Sequence, residues 1–120
     1  MTSEYGSYTI YQIFDQKRHT EHCNVGVIVF GGDGKQIGCR ADTPLRAFRQ
    51  GLLQEYHLED FSQERLVARM KTVPDMEELT GCLESTGHAM SMIRFRNPLP
   101  TLIRPEVVDD IFERFVLGLR

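Results

Sequence analysis

The sequence predicts a single α+β domain, a mostly antiparallel sheet of about four strands with helices packed on it. Three observations point there. Two runs rich in aromatic and β-branched residues, SYTIYQIF and CNVGVIVF, come early and lead into a cluster of glycines. Beyond Thr43 the apolar period changes from two to about 3.6. Residues 107–119 then carry an apolar stripe too broad to face water.

SYTIYQIF (7–14) has apolar side chains at both parities, Tyr8, Ile10 and Phe14 on one face and Tyr11 and Ile13 on the other, as expected of a strand covered on both sides. DQKRHTEH supplies a polar connection. In CNVGVIVF (23–30), Val25, Val27 and Val29 alternate with Gly26, Ile28 and Phe30. Neither face is polar, so a central place in the sheet is expected. GGDGKQ reads as a tight turn, because its glycines tolerate positive φ and Asp33 favours local turn bonding. IGCRA should pair back as a third strand, which completes an antiparallel meander.

Thr43 followed by Pro44 marks a helix start, with Leu45, Phe48, Leu52 and Leu53 at helical spacing. Ser62 can cap a second helix bearing Leu66, Val67 and Met70. Pro74 then interrupts, and Asp75 with Glu78 three residues on forms a capping-box variant ahead of Met76, Leu79, Cys82 and Leu83. Residues 62–86 are therefore either one kinked helix or two. HAMSMIRF (88–95) alternates as a fourth strand, which NPLP ends. Pro105 opens a final helix whose Val107, Val108, Ile111, Phe112, Phe115, Val116 and Leu119 require cover. At about 1.5–3 kcal/mol for each side chain buried, that helix is expected to be required for folding.

The chain has the size of one ordinary domain, 120 residues, and buries about 65% of the surface of its unfolded form. A composition of 41% hydrophobic and 26% charged residues is that of a soluble globular protein, and no run approaches a membrane span. MTSEYGSY lacks the basic start and apolar stretch of a secretion signal, so the expected compartment is the cytoplasm. Cys23, Cys39 and Cys82 are odd in number and widely spaced, reading as small hydrophobes rather than a disulfide framework. A net charge of −3 argues against general affinity for nucleic acid or anionic lipid but leaves room for a local basic patch.

Arg18, Glu21, the run Asn24-Val25-Gly26-Val27, and Ile93-Arg94-Phe95 followed by Pro105-Glu106 before an apolar helix together resemble the bacterial domain-of-unknown-function family 3037. The resemblance spans nearly the whole chain, and its distinctive part is the R-x-x-E-x-x-N-V-G-V core. The chain departs from the family pattern by placing Arg104 before Pro105, where an acidic residue is usual. The resemblance implies a small α+β domain encoded beside a HipA-like kinase, a toxin–antitoxin setting, with no established activity. Within the motif, Asn24 can bond backbone groups released at the turn, and Gly26 lets a helix or an aromatic ring lie close to the sheet. Arg18 and Glu21 can pair to order the loop.

No catalytic signature emerges. His19, His22 and Cys23 are near one another, but adjacent strand residues point to opposite faces, so no metal site is expected. Neither Cys23 nor Cys39 has the helix-start or glycine-elbow setting that activates a nucleophile. GGDGK fails the phosphate-loop pattern and precedes a strand. Arginine is the stronger candidate. Arg40, Arg94 and Arg96, with Arg46 and Arg49 nearby and Arg18 and Arg104 in reach, can line one rim and take a phosphate or carboxylate, unless acidic neighbours pair them. Tyr5, Tyr8 and Tyr11 are available as stacking platforms or as core.

The expected function is a non-catalytic protein-binding or regulatory module with a HipA-like kinase as partner. Its expected binding residues are Arg18, Glu21, Asn24, Arg40, Arg94 and Arg96, with no cofactor. The alternative is a small nucleic-acid-binding or nucleic-acid-processing protein that uses the arginine rim.

Overall fold

The computed structural model describes residues 4–14, 22–42, 62–85 and 93–118. Three strands, β1 (Tyr5–Phe14), β2 (His22–Phe30) and β3 (Gln36–Ala41), form an antiparallel meander. Two helices follow, α1 (Gln63–Lys71) and α2 (Met76–Ser85), then short strands β4 (Ile93–Phe95) and β5 (Leu99–Leu102), then α3 (Val107–Phe115). The sheet order is β3-β2-β1-β4, and β5 also pairs with β1, farther along the same side; every pairing is antiparallel. The chain is thus an α+β domain with helices on both faces of its sheet.

The β2–β3 turn forms as its composition predicts. Gly34 N–H donates to Gly31 O at 2.9 Å, Asp33 Oδ1 accepts from Lys35 N–H at 3.0 Å, and Gly34 adopts φ 82°, a conformation that only glycine takes at no steric cost. Within the segment expected as one kinked helix or two, the described residues 62–85 form two helices. Ser62 Oγ caps α1 by accepting from Arg65 N–H at 3.3 Å, and Asp75 Oδ1 caps α2 by accepting from Glu78 N–H at 2.9 Å. The helix expected from Thr43 to Leu53 lies outside the described residues, as do positions 88–92 of the expected fourth strand.

Two features of the sheet differ from the sequence reading. Tyr11 pairs with Gly26 but Gln12 pairs with Asn24, so Val25 is an extra residue, a β-bulge in β2. Strict alternation would put Val25, Val27 and Val29 on one face. Instead Val25 joins Cys23, Ile28 and Phe30 on the side of α1 and α2, whereas Val27 and Val29 face α3. The second difference is β5, for NPLP does not end the sheet. The strand breaks at 96–98 and resumes at Leu99. Ile103 N–H donates inward to Glu4 O at 2.9 Å, so by alternation the nitrogen of Pro100 points away from β1 and no ladder bond is lost.

The core is accordingly double. Tyr11, Ile13, Cys23, Val25, Ile28 and Phe30 pack with Leu66, Met70, Val73 and Leu79 on one face. Ile10, Val27 and Val29 pack with Val107, Ile111, Phe112 and Val116 on the other. Gly26 lies under α1, where a Cβ would meet Met70 Sδ at 2.9 Å, and Gly38 lies under α3, where it would meet Val108 Cγ2 at 2.9 Å. The expectation that Gly26 admits a helix close to the sheet is met. The outer edge of β3 is capped at its first residue from the α1–α2 segment, since Gln36 N–H donates to Pro74 O at 2.7 Å and Gln36 Nε2 to Val73 O at 2.8 Å.

Candidate functional site

Arg18 and Glu21 lie outside the described residues, and of Arg94 only the backbone is described, paired with Gln12. Asn24, Arg40 and Arg96 can be placed. The bulge at Val25 turns Asn24 toward α3, where its Nδ2 donates to the carbonyl of Phe115 at 2.8 Å, while its Oδ1 accepts from Gln12 Nε2 at 2.6 Å. The amide does bond a backbone group, as its position suggested. That group is the terminal carbonyl of a helix remote in sequence, one of the four that a helix leaves unsatisfied, and not part of the adjoining turn.

Arg40 also serves α3. Its Nη1 is 2.8 Å from Asp109 Oδ1, and its guanidinium lies 4.3 Å from the centroid of the Phe112 ring. Arg96 is exposed just beyond β4, and its N–H donates to Ile10 O at 2.9 Å. Arg40 pairs with Val27, and Val27 with Ile10. Arg40 and Arg96 therefore sit in one row across the sheet, three strand spacings or roughly 14 Å apart. The Arg40 guanidinium is turned to Asp109 and Phe112 of α3. Arg104 Nη2 lies 3.3 Å from Asp110 Oδ2 at the start of α3.

Near the end of α3 is a group of partly exposed apolar side chains that sequence reasoning missed. Tyr8 stacks on Phe115 with ring centroids 5.7 Å apart. Leu99 pairs directly opposite Tyr8 and so shares its face. Leu99 is 54% exposed and Phe115 37%. The signal was hidden because Leu99 stands between two prolines and Phe115 reads as one more member of the helical stripe. The tyrosines divide: Tyr11 is core, stacked on Phe95 at 4.5 Å; Tyr8 is half-buried; Tyr5 is exposed.

Two titratable groups are shifted, both on the α1 side. Burial pushes the Tyr11 phenol above its ordinary value of 10.0, and the Arg69 guanidinium that hydrogen-bonds it offsets part of that rise. Burial likewise raises the Cys39 thiol, opposed by the Lys71 ammonium. A raised thiol is a poor nucleophile at neutral pH. Among the described residues no group of three His, Cys, Asp or Glu side chains is placed to hold a metal ion, and no helix is long and apolar enough to cross a membrane. His19 and the side chain of His22 fall outside those residues. Comparison with family models, curated proteins and solved structures found no match to this chain.

Proposed function

We propose that the chain is a non-catalytic protein-binding or regulatory module of the bacterial cytoplasm, of the family 3037 type, whose partner is a HipA-like kinase. The observation that carries the reading is the Tyr8–Leu99–Phe115 group. Leu99, on the edge strand β5, is more than half exposed beside Tyr8, which stacks on Phe115, and exposed apolar surface of this kind supports docking on another protein. The NVGV resemblance supplies the kinase. The arginine-rim reading draws less support, because Arg40 is already engaged by Asp109 and Phe112.

The test is a titration of the purified HipA-like kinase with wild-type protein, with Leu99→Asp, and with Arg94→Ala/Arg96→Ala. A docking module predicts binding that weakens at least about tenfold for Leu99→Asp, is unchanged for the arginine pair, and depends little on salt. Saturable binding of a single-stranded oligonucleotide that is lost in the arginine variant and falls steeply with salt would replace this reading with the nucleic-acid one.

A further inference from the structure

The sheet separates two apolar clusters, and the one beneath α1 and α2 contains no residue of α3. Among the described residues, removing α3 would therefore leave that packing in place and uncover Tyr8, Ile10, Val27 and Val29 on the other face. Besides its apolar stripe, α3 is held by described contacts that include Tyr8 stacked on Phe115 and the Arg40 guanidinium over the Phe112 ring. Its N-cap residue, Glu106, makes no side-chain capping bond, and its ion pair with Arg40 is solvent-exposed. At the far end stands Asn24. The Phe115 carbonyl can only accept, so it fixes the Asn24 amide with Nδ2 toward the helix, which leaves Oδ1 for Gln12, a residue only 4% exposed. The chain Gln12–Asn24–Phe115 thus ties the interior of the sheet to the last turn of the helix.

We propose that α3 is a detachable strap. It undocks from β2 and β3 as a unit while the meander, α1 and α2 remain folded, and Asn24, oriented by Gln12, is the latch whose bond to the Phe115 carbonyl sets how often this happens. The inference runs against the sequence expectation that the terminal helix is required for folding, and it rests on the cluster on the α1 side being built without α3. It stands independently of the docking reading, which concerns the patch present when α3 is closed.

Native-state amide hydrogen exchange on the intact protein at low denaturant tests it. In the wild type, α3 amides are expected to exchange through an opening at least tenfold more populated than the one that exposes β1 and β2 amides, with a smaller denaturant slope. Two variants make the result specific. Asn24→Ala removes the bond to the Phe115 carbonyl, which exists only in the closed state, and should raise the α3 opening constant about tenfold. Ser62→Ala weakens the α1 cap, which is intact in both closed and undocked states, so it should speed exchange in β1 and β2 and leave the α3 opening constant unchanged. Convergence of α3, β1 and β2 amides on one opening constant and one slope would overturn the strap. An α3 opening constant unmoved by Asn24→Ala would overturn the latch.

Discussion

Val25 is one residue more than its pairing with β1 can use, and its neighbours record the consequence. The bulge sends Cys23 and Val25 to one face and Asn24 to the other, where the amide meets the end of α3. Tyr11 lies opposite Gly26 on the crowded side, buried against Phe95 and bonded by Arg69. Its phenol holds its proton beyond pH 10.0, the midpoint at which a phenol in the unfolded chain releases it. Above that pH the folded state therefore binds more protons than the unfolded state, and stability falls as pH rises. Urea unfolding of wild type and Tyr11→Phe between pH 8 and about 11 should show a steeper alkaline loss for the wild type. Parallel curves would mean that the hydroxyl is not shielded.

At the scale of elements, local chemistry was legible and register was not. The β2–β3 turn, the Ser62 and Asp75 caps and the break at Pro74 each depend on a few consecutive residues, and all four stand where the chain announces them. The caps are also open to direct test. Asp75→Ala should destabilise the protein by about 1 kcal/mol in denaturant unfolding, and Asp75→Asn by less, because asparagine still offers an acceptor. Equal losses would point to a charge effect at the helix start rather than to the hydrogen bond. The bulge at Val25 and the strand at Leu99–Leu102 were hidden because each is decided by a partner strand. Periodicity shows alternation but not where pairing skips, and Pro100 reads as a strand end unless its nitrogen is known to face outward. The binding residues were partly legible for the same reason. Asn24 was singled out for its loop-to-strand position, but its partner is 91 residues away.

For the molecule as a whole, the consequence is a sheet with two unlike sides. One carries α1, α2 and the larger cluster. The other carries α3, held by Asn24 and Arg40, with Tyr8, Leu99 and Phe115 at its margin. Both the proposed docking patch and the proposed strap belong to this second side, and the strap's latch depends on the bulge that divides the residues of β2 between the faces. Methyl NOE spectroscopy on selectively labelled protein measures that division most directly. The account predicts NOEs from Val25 methyls to the Leu66–Met70 cluster, and from Val27 and Val29 methyls to Ile111 and Phe112. Val25 and Val27 methyls with NOEs to the same helix would contradict it.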